Sequence, residues 1–219
     1  MQVAADIDVH RILLMLGSVQ SNGEDRADPD PDPALDDLVR MAGKGDRHAF
    51  ERLFDAQVDS VHRWLTRLVG PVPDREDLVQ EVFLAVYRGL PRFRGDARFT
   101  TWLYRIVANI ACTHLRRRSR TPATYQLDDL PLADPDATPE ETARRRQEVL
   151  LVLELLERLT PPKRVAYLLR VVEGLSLVEI GRIVEAQPPA VGQRVKHARR
   201  ELEELLQRHA QGQLRGRAG

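Results

Sequence analysis

The chain has one cysteine, few aromatic residues, no net charge and no apolar run long enough to cross a bilayer. Each shortage excludes something. Cys112 on its own allows neither an internal disulfide nor a cysteine pair for zinc, which fits a reducing compartment. Aromatics are 5% of the 219 residues and alternating β-branched runs are scarce, which argues against extensive sheet. The 33 basic and 33 acidic residues cancel, so the molecule as a whole is no generic polyanion binder. The apolar stretch at residues 12–16 is too short to span a membrane and no small-residue cleavage pattern follows it. No membrane insertion and a cytoplasmic location are therefore expected. His10, His48, His62, His114, His197 and His209 are scattered without metal-ligand pairing, and no Gly-rich phosphate loop or nucleophile motif is present. No metal, cofactor or catalytic residue is expected.

What remains is helical. At 42% hydrophobic the chain can build cores, and its length suits two small helical modules. Residues 1–33 end in Asp28-Pro29-Asp30-Pro31-Asp32-Pro33, too charged and proline-rich to order themselves, and read as a disordered arm in which Met15 is a second candidate start. Residues 34–120 carry apolar positions at helical spacing, broken at residues 43–46, where Asp46 can cap a second helix, and again at residues 70–73. A third helix opens at Asp74 and stops near Pro91, and a fourth covers residues 99–118, with Phe99, Trp102, Leu103, Ile106 and Ile110 expected inward. Residues 121–143 hold four prolines and six acidic residues without a helical period, and read as a flexible acidic linker. A second module occupies residues 144–209, its helices turned at Pro161-Pro162 and at Gly174, and residues 210–219 read as a disordered tail.

The second module closes with a helix-turn-helix pattern. Ser176 can cap a helix while Glu179, three residues on, reaches back to the cap's own N–H. Glu185-Ala186-Gln187-Pro188-Pro189 breaks the run, and proline is favourable at the first position of the next helix. At 100° per residue, Val191, Val195, Ala198, Leu202 and Leu205 share one stripe. Gln193, Lys196, His197 and Arg200 lie opposite, with Arg194 beside them, and offer the donors that a recognition helix brings to base edges and phosphates.

A second basic surface lies in the first module. Between residues 92 and 120 the arginines are 92, 94, 98, 105, 116, 117, 118 and 120, opposed only by Asp96. Phe93, Arg94 and Arg98 sit in a short loop, while Thr101, Arg105, Asn109 and Arg116 share a stripe of the helix that follows, with Arg117 and Arg118 at its end. Aromatics that stack on bases and arginines that hold the backbone suit a nucleic acid with unstacked bases. Trp102 fits core packing better than base stacking on pattern alone.

These motifs, in this order, resemble the extracytoplasmic-function (ECF) sigma factors of bacterial RNA polymerase. The resemblance rests on Gly45-Asp46 with residues 49–53, on Asp74-Arg75-Glu76-Asp77-Leu78-Val79-Gln80-Glu81-Val82-Phe83, and on Phe93-Arg94-Gly95. It continues through residues 99–106, Asn109 and Arg116-Arg117-Arg118, and then Val172-Glu173-Gly174-Leu175-Ser176 with Glu179-Ile180 and Ala198-Arg199. It implies an all-α protein that binds core RNA polymerase through Asp77, Gln80 and Glu81, a face that would otherwise read as solvated. It implies that residues 93–118, Trp102 among them, engage the minus-ten promoter element and capture an unstacked base, that residues 193–200 read the minus-thirty-five element, and that the linker enters polymerase channels that later hold RNA. An anti-sigma partner is implied as well. Pro189-Ala190-Val191-Gly192 stands where the family often has Gly-Thr-Val and a basic residue, and Thr113 where it often has an acidic one. Two other readings stay in play. One is a polymerase-independent regulator that binds duplex DNA with its helix-turn-helix. The other is an enzyme, for which no residue constellation speaks.

Overall fold

The computed structural model describes residues 12, 32–118, 125 and 137–216, with side chains as far as residue 211. Every regular element among them is helical: α1 (Pro33–Gly43), α2 (Arg47–Val69), α3 (Arg75–Gly89), α4 (Phe99–Arg118), α5 (Pro139–Glu157), α6 (Pro161–Val171), α7 (Leu177–Ile183) and α8 (Pro188–Gly216), with a 3-10 turn at Leu90–Arg92.

Local chemistry sets most of the ends. The Asp32 carboxylate accepts from the N–H groups of Ala34 and Leu35 to open α1, and that of Asp46 accepts from Ala49 to open α2. Gly70, at φ 88°, ends α2 in a conformation that side-chain-bearing residues rarely adopt. Pro161 and Pro188 stand at first helical positions, where a missing N–H costs nothing.

Three boundaries depart from the sequence reading. Helix α5 starts at Pro139, inside the span read as linker, because Thr138 and Glu141 form a reciprocal capping box that the proline count had masked. Helix α8 runs to Gly216, past residue 209, where the tail was expected to begin. Ile12, in the expected disordered arm, is helical and buried. The rest of the arm, and the linker apart from Tyr125 and residues 137–143, lie outside the described residues.

Helices α1 to α4 pack as one bundle, and α5 to α8 as another. The face of α4 is turned by about one position from the wheel expected. Leu103, Tyr104, Val107, Ala108, Ala111 and Leu115 are buried, whereas Trp102, Ile106 and Ile110 are only partly so. The reason is tertiary: α4 is flanked by α2 and α3 on one side and by α6 and α7 of the second bundle on the other, so it has two apolar faces and no single moment. The Trp64 and Tyr104 rings meet at 4.5 Å between α2 and α4.

Candidate nucleic-acid interface

The helix-turn-helix forms as its residues require. Ser176 N–H donates to Glu179 Oε2 at 2.6 Å while Glu179 N–H donates to Ser176 Oγ at 3.2 Å. These bonds hold the Glu179 carboxyl below its ordinary range. The turn after α7 is tight: Ala186 N–H donates to the Gly181 carbonyl at 3.0 Å, and a Cβ on Gly181 would lie 2.6 Å from the Ala186 oxygen. Only glycine fits there. Glu185 takes a positive φ of 50° to complete the reversal. Gly192, unfavourable in a helix by propensity, sits where a Cβ would come within 3.3 Å of Leu177, so it lets α7 and α8 approach closely.

The two faces of α8 are then as the wheel placed them. Val191, Ala198 and Leu202 are buried, Val195 and Leu205 partly so, and Gln193, Lys196, His197 and Arg200 are exposed on the opposite side. Arg200 pairs with Glu204 one turn on at 3.6 Å. Arg194 is half-buried and turned toward α4, where its charge acts on the Cys112 thiol. Burial nevertheless pushes that thiol above its usual value.

In the first bundle the loop between the 3-10 turn and α4 is held by an aromatic triad. Phe93 lies 5.1 Å from Trp102 and 6.1 Å from Phe99, and Phe99 lies 5.7 Å from Trp102. Trp102 also covers the end of α3, where a Cβ on Gly89 would come within 2.9 Å of its ring. Phe93 and Trp102 thus brace the loop with their half-buried rings. The loop borders a groove of about 590 Å³ whose walls include Arg40, Lys44, Phe93, Arg94 and Arg98. That size suits a nucleotide-sized ligand, and its rim is cationic. Arg94, Arg98, Asn109, Arg116 and Arg117 are exposed, and Thr101 is half-buried.

Two residues of the expected set are engaged by other parts of the chain. Arg105 pairs with Glu185 in the turn of the helix-turn-helix. Arg118, 14% exposed, lies over the Tyr125 ring at 5.0 Å and 3.8 Å from Glu157.

On α3, Asp77, Gln80 and Glu81 are exposed together, and the same face carries Leu84 and Tyr87, which are 48% and 61% exposed. The sequence reading missed this apolar pair. Its signal was present, since Leu84 follows Asp77, Gln80 and Glu81 at positions seven, four and three residues on, where one helix face repeats.

The family comparisons agree with this anatomy. The family description Sigma-70 region 2 matches residues 53–121, and Sigma-70, region 4 matches residues 149–202. The chain is 32% identical over 179 residues to the RNA polymerase sigma-H factor of Pseudomonas aeruginosa, covering 78% of this chain and 92% of that one. It belongs to the ECF sigma factors of RNA polymerase. The ECF RNA polymerase sigma-E factor of Escherichia coli is 33% identical over 178 residues, covering 78% of this sigma factor and 93% of its own chain. Among solved structures, CnrH in complex with the cytosolic domain of CnrY has a TM-score of 0.54 at 25% identity and covers 80% of this chain and 97% of that one. RpoE of Bartonella quintana, in complex with the anti-sigma factor NepR, shares the fold at a TM-score of 0.52 and 18% identity, over 72% of this chain and 96% of its own. Sigma factors are transcription initiation factors that catalyse no covalent chemistry.

Among the described residues no helix is long and apolar enough to cross a membrane, and no group of three His, Cys, Asp or Glu side chains could hold a metal.

Proposed function

We propose that this sigma factor docks on core RNA polymerase through the exposed face of α3 and reads a two-part promoter with two separate cationic surfaces. The α8 stripe of Gln193, Lys196, His197 and Arg200 reads the minus-thirty-five element in the major groove. The loop at residues 93–98, with Thr101, Arg105, Asn109 and the arginines at the end of α4, engages the minus-ten element. An unstacked base of the non-template strand enters the groove beside Phe93, and the arginines on its rim hold the phosphates. Unstacking costs a few kcal/mol, which pocket contacts can offset.

One observation carries this reading: α8 buries Val191, Ala198 and Leu202 while it leaves four hydrogen-bonding side chains in a row on its outer side. Leu84 and Tyr87 support the docking face, because an apolar pair beside acidic residues is the composition of an interface centre with a polar rim. An anti-sigma partner, of the kind seen with RpoE, covers both modules when the factor is idle. Its action is cytoplasmic, where polymerase meets the chromosome.

Run-off transcription with core polymerase tests the proposal. Initiation is expected to require both promoter elements. Lys196→Ala with Arg200→Ala should lose dependence on the minus-thirty-five sequence, and Glu81→Lys should abolish core binding with helicity unchanged. Initiation that survives all of these would overturn it.

A further inference from the structure

Two arginines are buried where the bundles meet, and they differ in how their charge is met. Arg67, in the last turn of α2, donates from Nη1 to both carboxylate oxygens of Glu173, beyond α6, at 3.2 and 3.1 Å, and the two side chains are 6% and 5% exposed. That pair is self-contained. Arg164 of α6 is fully buried and donates from Nε to the Leu68 carbonyl at 3.1 Å, which anchors its guanidinium but supplies no counter-charge. Its Nη1 and Nη2 are buried as well and find no acceptor in good geometry. The Tyr125 hydroxyl beside them gives its proton to Glu157 at 2.7 Å, so it can accept from at most two of their four N–H groups. Donors of a buried cation are therefore left over, which is costly unless something pairs with them.

Next to this guanidinium is a cavity of about 40 Å³ lined by Leu115, Arg118, Glu157, Leu159, Pro161 and Arg164. One water needs about 10–15 Å³ of such space, so two or three waters or one small ion fit. Among the described residues the charged lining is two guanidinium groups against one carboxylate. That carboxylate is already shared: Glu157 accepts from Tyr125 and stands 3.8 Å from Arg118. The lining is thus positive by one charge. Nearby, burial holds His114 below its ordinary value, Asp74 opposes this, and Arg118 and Arg164 add to it, as a local positive field requires. Water would satisfy the leftover donors and leave the charge unmatched, whereas a small anion does both.

We propose that this cavity is an anion site: a halide-sized monovalent anion, chloride among the common ones, sits between Arg164 and Arg118 and completes the hydrogen bonding of the Arg164 guanidinium. Sign excludes a metal ion, and size excludes a nucleotide. Arg118 and Glu157 keep 14% and 26% exposure, which gives the anion a path to solvent. Leu115 and Arg118 come from α4, Glu157 from α5 and Arg164 from α6, so the site is complete only where the two bundles meet, and occupancy stabilises that arrangement by mass action. The site requires nothing from the promoter assignments.

The test uses the full chain and exchanges potassium gluconate, whose anion is too large for the cavity, for potassium chloride at constant ionic strength. With chloride a few-fold above its dissociation constant, the thermal midpoint should rise by about 2–4 °C and level off as the site fills. Chloride resonances should broaden in the presence of the protein. Arg164→Met, which keeps the length of the side chain without its charge, should abolish both effects. Should Arg164→Met lose helicity, Arg118→Met, at the more exposed side of the cavity, should reduce the rise and the broadening together. Equal midpoints in the two salts without broadening would mean that the cavity holds water alone, and would overturn the site. A rise that the folded variants keep in full would overturn it too, since the chloride would then bind elsewhere.

Discussion

The two basic surfaces of this molecule differ in what their charges are doing. On α8, Gln193, Lys196 and His197 stand in solvent, and Arg200 has only an exposed partner on its own helix. On α4, Arg105 and Arg118 are engaged by residues from the other module or from Tyr125. Both surfaces read alike in sequence, as arginines and polar groups opposite an apolar stripe. The difference comes from burial on a second side: α8 packs on its own bundle only over one face, whereas α4 is sandwiched. Availability of a charged group is thus a property of the tertiary neighbours, and the same residue type can be a reader in one place and part of a closed contact in another.

Breaking one surface while sparing the other separates them most clearly. Gly181→Val puts side-chain atoms where the Ala186 carbonyl already lies 2.6 Å from a bare Cβ, and that carbonyl is backbone that cannot rotate away. A loss of about 3 kcal/mol or more is expected, concentrated in the second module. Thermal denaturation should show the C-terminal bundle melting first, with duplex minus-thirty-five binding gone and single-strand binding by the first module retained or improved. A smaller change sharpens the other side. Gly89→Ala would press on the Trp102 ring, displace it from Phe93 and loosen the loop at residues 93–98, at a cost of about 1–2 kcal/mol. Tryptophan fluorescence should shift and affinity for a minus-ten single strand should fall, while minus-thirty-five binding stays as it was.

Much of the fold was readable from residue spacing because the relevant forces are local. The caps at Asp46 and Ser176, the breaks at Gly70 and at residues 185–189, and the buried stripe of α8 all depend on neighbours within one or two turns. What escaped was what depends on distant neighbours. Arg164 lies one turn before Leu168 on an otherwise apolar stripe, and Arg67 lies inside the run of buried residues that closes α2. A cation embedded in an apolar face signals a buried partner, yet nothing in the spacing says which partner, because Glu173 is 106 positions from Arg67. Tyr125 was lost among prolines and acids for the same reason. Its environment is made by Glu157, Arg118 and Arg164, and burial raises its hydroxyl to about 12, so it remains a donor throughout the ordinary pH range.

The smallest effect concerns the cap that begins the helix-turn-helix. Ser176→Ala removes the hydroxyl that accepts from Glu179 N–H and leaves that donor to water, a cost of about 1 kcal/mol to the second module. The cost should depend on pH in a definite direction. Glu179 is held below its usual carboxyl value in the folded chain by its bonds to Ser176, so folding favours the ionised form. That contribution is complete above the unfolded value of 4.5 and is lost as pH falls through the lower folded value. The difference in stability between Ser176→Ala and the unaltered chain, read from denaturant unfolding of the C-terminal bundle, should therefore be constant near neutrality and shrink on acidification below pH 4.5. The exposed α8 stripe would keep its side chains but lose the firm placement of α7 beneath it, so minus-thirty-five affinity should weaken slightly. A gap that widened with acid would mean that Glu179 bonds more strongly when protonated, contrary to the direction of its shift.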